Sequence, residues 1–428
     1  MKVLVVGSGA REHAICWKLK QSSKISKIYC APGNAGISKI AECVDIKADS
    51  LHELVEFAII KDIDLTVIGP EGPLVAGLAD MLIEKNIKVF GPKKKGALLE
   101  GSKSYSKDFM KKYNIPSAKY QVFTESNKAK KELENFNTPV VVKADGLAAG
   151  KGVIICQTIK EAEHAIDNIM QEKQFGDAGN TIVIEEFLEG TETSLLCFVD
   201  GNSIIPMESA MDYKKAYDND MGLNTGGMGA FSPNSIYTDE LKNYINENVL
   251  KTTLNGFKNE DIDFKGVLFI GLMIKNNEAK VLEYNTRFGD PETEVVLPRL
   301  KSDLLDIMLK CIDGNLTEND LQWEKEKCVT VVLASGGYPE SYEKGKEITG
   351  LNDVDDDIVI FHGGTKIYKG KVITDGGRVL AVTAMGETLE EAKEKIYRNI
   401  PKIHFDKMEY RTDITKWFWG LSPDFLLI

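Results

Sequence analysis

The first hundred residues alternate two hydrophobic periods, and this restricts the fold more than any other feature of the chain. Short apolar runs at 2–6, 27–30, 65–68 and 87–90 have the length and branched side chains of strands. Helix-length segments at 11–20, 51–60 and 74–85 separate them. Strands joined through helices return side by side and in the same direction, so the spacing predicts a parallel α/β sheet. The loops that follow its strands then gather at one edge, where ligands bind in such sheets.

Three loops fall at that edge. The first is Gly7-Ser8-Gly9-Ala10-Arg11-Glu12, between a strand and a helix. Its glycines would let backbone amides approach an anion at the helix start. The third glycine of a dinucleotide fingerprint is replaced by Glu12, whose bulk opposes the close packing that motif needs, so a nicotinamide dinucleotide is disfavoured. The second loop carries Asn34 within residues 31–36, and the third carries Pro70 and Glu71 within 69–74. Plain turn chemistry explains each loop alone. Together, their backbone amides, Asn34 and the carboxylate of Glu71 suit a sugar phosphate bearing an amine, and both readings stay open.

A chain of 428 residues is too long for one ordinary domain. The formal net charge of −12 argues against a general nucleic-acid or membrane surface, and no apolar run is long enough to span a bilayer. The seven cysteines include no CxxC pair and the five histidines no HxxxH pair, so neither a disulfide framework nor a zinc site is expected. Reduced thiols and the absence of a signal peptide predict a cytoplasmic protein. A helix is read over 103–113 and a compact unit over 120–188. Further strands include 267–275 and 279–285. A charged linker is read at 323–327, and a last unit from 328 has strands at 329–334, 358–362 and 379–384 and a helix at 389–400. The expected division is 1–102, 103–325 with a mobile subdomain near 120–188, and 326–428.

Within the middle division, Lys143 ends an apolar strand, and the loop 146–152 brings three glycines and Lys151 before the chain returns as a strand. A lysine held on a rigid strand can aim its ammonium at a phosphate, and a glycine loop can fold over phosphates through its amides. A glycine-rich hairpin with a solvated lysine is the plainer alternative. Near residues 182–188, a strand runs into a linker where Glu185, Glu186, Phe187 and Leu188 could meet an adenine, and Glu192 a ribose. A solvated acid pair is the plainer reading of the two glutamates.

Residues 283, 285 and 287 alternate along a strand, so Glu283, Asn285 and Arg287 share a face. The first two are oxygen ligands of the kind Mg²⁺ takes beside phosphates. The arginine can grip a carboxylate or phosphate. A polar outer face on an edge strand is the ordinary alternative. The strand at 267–275 carries no acid for a second metal. The segment 209–233 holds Asp212, Lys214, Asn224, Gly226 and Gly227, with glycines dense enough to suggest a loop that moves or lies against a ligand.

The order of strand-end lysine, glycine flap, hinge strand and Glu-x-Asn-x-Arg resembles the ATP-grasp superfamily. The stretches GSGAREHA, APGNAG, IGPEGPLVAGLAD, KADGLAAGKGV, IEEFLEGTE, NTGGMGAFSP, LEYNTRFGDPET and GGRVLAVTAMGETLEEA extend the likeness, over nearly the whole chain, to the phosphoribosylamine–glycine ligase family. Tyr213, Lys215 and Leu223 depart from its usual pattern. The resemblance implies an N-terminal parallel α/β domain, a central ATP-grasp domain of two subdomains and a small C-terminal α+β domain. It implies ligation of glycine to phosphoribosylamine with ATP and Mg²⁺ or Mn²⁺, and a monomer, with a dimer left open. Catalytic roles would fall to Lys143, Arg287 and Asp212. ATP would meet Lys103, Lys143, Gly150, Lys151, Gly152, Glu185, Glu186, Phe187, Leu188 and Glu192. The other substrates would meet Gly9, Arg11, Asn34, Pro70, Glu71, Asp212, Lys214, Asn224, Gly226, Gly227, Arg287, Gly289 and Asp290. The metal would sit on Glu283 and Asn285.

Overall fold

A computed structural model describes residues 1–148 and 151–416. The first unit is a five-stranded parallel sheet of β1 (Lys2–Gly7), β2 (Lys27–Pro32), β3 (Glu42–Cys43), β4 (Leu65–Ile68) and β5 (Lys88–Phe90), in the order β3-β2-β1-β4-β5. With β1 between β2 and β4, the three glycine-bearing loops emerge side by side, as the alternation requires. β3 is too short to register as an apolar run. The helix read over 74–85 divides into Glu71–Ala76 and Leu78–Ile83, because Gly77 takes a left-handed conformation with φ of 95°.

The second unit is the antiparallel sheet β6-β9-β7-β8, made of β6 (Tyr120–Phe123), β7 (Val140–Ala144), β8 (Val153–Cys156) and β9 (Ile182–Glu186). Val140, Val142, Ile182 and Ile184 bury one face against the helix Ile159–Met170. Strand alternation sends Lys143 and Glu185 to the opposite face. A third sheet joins β10 (Thr191–Asp200), β11 (Ile204–Pro206), β16 (Lys265–Lys275) and β17 (Glu278–Asn285), all antiparallel. It buries Leu195, Leu268, Ile270 and Tyr284 with Phe109 and Phe257 from the helices Lys103–Lys112 and Lys251–Asn259.

The last sheet crosses the expected division near residue 325. β12 (Met211–Asp212) pairs with β15 (Gly229–Ser232), which pairs with β18 (Lys327–Ser335), followed by β22 (Arg378–Gly386) and β19 (Ile358–His362), while β23 (Met408–Glu409) pairs with β18. Residues 323–327 are therefore no free linker, since Trp323 bridges Leu300 and Lys327 already belongs to β18. Two hairpins project from this body: β13 (Lys215–Tyr217) with β14 (Met221–Asn224), and β20 (Thr365–Tyr368) with β21 (Lys371–Thr374). All seven cysteines are free, six of them buried. Among the described residues no helix is long and apolar enough to cross a membrane.

The first and last units lock together through two imidazoles. The His362 amide donates to His13 Nδ1 at 2.8 Å, and Asn34 Nδ2 donates to the His362 carbonyl at 2.6 Å. Burial, with the other histidine and Lys39 nearby, pushes His13 down to about 3. Burial and Lys39 push His362 down to about 4. Both rings stay neutral in the folded protein but take protons near pH 6.5 once unfolded, so stability is full above that pH and is lost as pH falls below it. Each ring removes about 1.4 kcal/mol per pH unit well below 6.5. Buried acids such as Glu292 act in the opposite sense, so the prediction is comparative: between pH 7.5 and 5.5 the melting temperature of His13→Gln, which keeps an acceptor but cannot charge, should drop less, or rise more, than that of the starting protein. An unchanged slope in the variant would contradict the assignment.

Candidate functional site

Asp145, directly after β7, builds the cationic side of the cleft. Its carboxylate accepts the Ser104 amide at 2.6 Å and its carbonyl accepts the Lys103 amide at 3.0 Å, which draws the start of the Lys103–Lys112 helix to the end of β7. Ser102 caps that helix by accepting the Tyr105 amide at 3.2 Å. Lys103 and Lys143 thereby face one cleft, and Lys103 donates to the Gly146 carbonyl at 3.2 Å. Burial and the neighbouring Lys143 lower the Lys103 ammonium below its ordinary range.

Several expected nucleotide contacts take other partners. The Glu185 carboxylate is neither solvated nor turned to an adenine edge. Its two oxygens lie 3.0 Å from Lys143 Nζ and 3.0 Å from Lys107 Nζ. Lys151 donates to the Pro339 carbonyl at 2.9 Å, so its ammonium reaches the last unit instead of the cleft. Glu192 pairs with Lys214 in place of an open ribose position. Gly150 lies outside the described residues. Gly152 is required by close approach, since a Cβ there would stand 2.6 Å from that of Ala148. Where β9 ends, a cavity of about 640 Å³ is lined by Glu186, Phe187 and Leu188 together with Met273 and Lys280, and Glu186 accepts the Lys119 amide at 3.1 Å.

Across the cleft, Glu283 pairs with Gly271 and Asn285 with Phe269, with a bulge between Gly271 and Leu272. Burial alone would raise the Glu283 carboxyl, but Lys214, Lys143, Lys103 and Arg287 together bring it below its ordinary value. The strand ends at Asn285, so Arg287 is aimed by the turn and not by strand alternation. Its Nη2 lies 2.9 Å from Glu100 and its Nε 3.3 Å from Glu71. Glu100 also accepts the Thr286 amide at 2.7 Å. Among the described residues, no three acidic, histidine or cysteine side chains form a ready metal cage.

The loops of the first unit complete the far end. Glu12 folds back to accept the Gly9 amide at 2.6 Å and Arg11 Nε at 2.6 Å. It fills the space against Gly7 and Gly69, which removes room for a dinucleotide pyrophosphate. Burial opposes the Arg11 charge, but Glu12, Glu71 and Asp290 raise it above its ordinary value. The Arg11 amide donates to Asp290 at 3.4 Å. Pro70 starts the helix from which Glu71 meets Arg287. The Asn34 side chain is used within the protein. It donates to the Ser8 and His362 carbonyls and accepts the Gly36 and Ile37 amides, so its amide group is not open to a substrate as expected.

The glycine loop of 224–229 is fastened by the last unit. Arg378 Nη1 donates to the Gly226 carbonyl at 2.8 Å and pairs with Asp290 at 2.8 Å, and the Gly226 amide donates to the Tyr338 hydroxyl at 3.0 Å. Asn224 closes the β13–β14 hairpin opposite Lys215, the Gly227 amide donates to Thr225, and the Gly289 carbonyl accepts Thr293. Asp212 and Glu292 flank Ser194, whose hydroxyl lies 3.5 Å and 3.1 Å from them. Burial raises Asp212, and burial with Asp212 beside it pushes Glu292 up to about 7. Burial opposes the Lys214 charge, but Glu192, Asp212 and Glu283 raise it well above its ordinary value. Lys107, Glu100, Glu292 and Arg378 were not singled out from the sequence. Only Lys107, four residues after Lys103 on one helix, leaves a local signal.

The chain matches family models for phosphoribosylglycinamide synthetase along its length: the N domain at residues 1–100, the ATP-grasp (A) domain at 101–293 and the C domain at 328–417. It is 49% identical to a phosphoribosylamine–glycine ligase of Halalkalibacterium halodurans, covering 97% of this chain and 96% of that one. It is 48% identical to the enzyme of the same name from Clostridium acetobutylicum, covering 97% and 100%. The solved phosphoribosylamine–glycine ligase of Thermotoga maritima superposes with a TM-score of 0.86 at 35% identity, over 96% of this chain and 100% of that one. A biotin carboxylase domain of Hydrogenobacter thermophilus, solved with MgADP, shares the fold with a TM-score of 0.74 at 16% identity, over 96% and 91%. The chain belongs to the phosphoribosylamine–glycine ligase family.

Proposed function

We propose that the cleft between Lys103 and Lys143 on one side and Glu283 and Asn285 on the other holds ATP for the joining of glycine to phosphoribosylamine. One observation carries this reading: Lys214, Lys143, Lys103 and Arg287, from four separate segments, all act on the half-buried Glu283 carboxylate. Lys143, Lys214 and Arg287 each also meet an acid of their own, so the bases are held in place around one point where a triphosphate can enter.

The donor set fits a divalent ion of the Mg²⁺ or Mn²⁺ kind. Glu283 and Asn285 offer a carboxylate and an amide oxygen on neighbouring positions of one face, and an ion of this kind takes such oxygens beside phosphates and water. Bound there, such an ion would neutralise charge on the transferring phosphoryl group.

Arg287, in the turn after the same strand, is assigned the glycine carboxylate. That carboxylate attacks the γ-phosphorus of ATP, releasing ADP and forming glycyl phosphate. Lys103 and Lys143 hold the phosphates as charge shifts toward the leaving group. The amine of phosphoribosylamine then attacks the acyl carbon and expels phosphate, and its surplus proton goes to Asp212. Arg11, Glu71, Asp290 and the loop of Gly226 and Gly227 are assigned the acceptor, because they meet where the first, middle and last units join. The glycine loop of 146–152 is assigned a covering role that keeps water from the acyl phosphate. A cytoplasmic monomer, divided near residues 102 and 325, completes the proposal.

Phosphate release should require ATP, glycine and phosphoribosylamine together, and release without glycine would overturn the reading. Lys143→Ala should lower kcat/KM by about a hundredfold or more, and near-normal kinetics for ATP would remove its assigned role. Glu283→Gln should raise the concentration of Mg²⁺ needed for half-maximal rate while the fold, followed by circular dichroism, is kept. An unchanged Mg²⁺ dependence would place the ion elsewhere.

A further inference from the structure

Lys107 stands one helical turn beyond Lys103, on the same side of its helix. It is 2% exposed, Glu185 is 2% exposed and Lys143 is 5% exposed. The Glu185 carboxylate lies between the two ammonium groups, with Oε1 3.0 Å from Lys143 and Oε2 3.0 Å from Lys107. Lys107 Nζ has no aligned hydrogen bond among the described residues, so charge attraction alone holds it.

Two cations on one buried anion is not the arrangement that burial favours. A single Lys143–Glu185 pair would be neutral and cheaper to remove from water. It would also be a poor phosphate site, because a carboxylate 3 Å from an ammonium cancels most of its field at a ligand. Adding Lys107 leaves the group with a net positive charge on the face of the sheet that looks into the cleft.

We infer that Lys107 is a positioning residue of the nucleotide clamp: by sharing Glu185, it leaves the charge of Lys143 available to the phosphates. The inference rests on the assignment of this cleft to ATP. Burial, against the pull of Glu185 and with Lys143 beside it, brings Lys107 down to about 8, so its ammonium persists at neutral pH. Lys107 itself touches no substrate in this scheme and acts through Glu185.

The test is a charge cycle on the full chain, with KM for ATP and kcat measured separately and folding followed by melting temperature. Lys107→Met should raise KM for ATP about tenfold or more while kcat at saturating ATP changes less than about threefold, and Lys107→Arg should restore KM. The double variant Lys107→Met with Glu185→Gln removes one cation and the anion together, freeing Lys143 from its pairing with Glu185. Glu283 still faces Lys143 in that variant as in the starting protein, so KM for ATP should return to within about threefold of the starting protein. A residue that only fills space would show no such recovery.

An unchanged KM in Lys107→Met, or a loss that persists undiminished in the double variant, overturns the inference. Should Lys107→Met be too unstable to purify, the double variant decides alone by the same threefold criterion. Lys143→Ala separates the two levels. If it is inactive while Lys107→Met keeps its KM, only this inference fails. If Lys143→Ala turns over ATP normally, the ATP assignment fails.

Discussion

The half-buried carboxylate of Glu283, drawn below its ordinary value by Lys214, Lys143, Lys103 and Arg287, is the interaction around which the cleft is organised. Like charges brought from separate elements repel one another, and Glu283 together with the acids paired to the individual bases offsets that repulsion. Each unit contributes to holding that point. The sheet of β6 to β9 supplies Lys143, the Lys103–Lys112 helix supplies Lys103, the segment after β12 supplies Lys214, and the turn after β17 supplies Arg287. A protein of net charge −12 thus gathers four basic side chains from separate segments at one point.

Around this centre the acids are matched to the bases in graded fashion. Glu185 sits between two lysines, Glu100 and Glu71 meet Arg287, Glu192 meets Lys214, and Asp290 meets both Arg378 and the Arg11 amide. These pairs are largely withdrawn from water, where an unmatched charge is costly. The cleft is therefore ordered in advance, so little reorganisation is needed when charge moves during phosphoryl and acyl transfer. The last unit takes part directly: Arg378 and Tyr338 fasten the glycine loop, and Lys151 bonds to the Pro339 carbonyl. A ligase of this family must admit three small molecules and then exclude water, and these contacts tie the covering loops to a common support.

Much of the fold was legible because it is written in local periodicity. β1, β2, β4 and β5 announce themselves by apolar runs of strand length, and helices between them impose parallel pairing. β3 escaped because two residues carry no period. The break at Gly77 was visible only as a glycine, which a helical pattern tolerates until its φ is known. The pairing of β15 with β18 joins residues about a hundred positions apart, and no local pattern reports such a partnership.

For the site, the sequence by itself determined which chemical groups are present and on what rigid elements they stand. Lys143 at a strand end, Glu283 and Asn285 on one strand face, and Glu12 in place of a third glycine follow from residue type and spacing alone. Tertiary structure decided who answers whom. Glu185 turned to Lys107 and Lys143, Asn34 was taken up by backbone groups, and Arg378 came from the far end of the chain to hold Gly226. The reason is physical. A buried charge or amide must find a partner within about 3 Å, and that partner is chosen by packing between units instead of by neighbours along the chain.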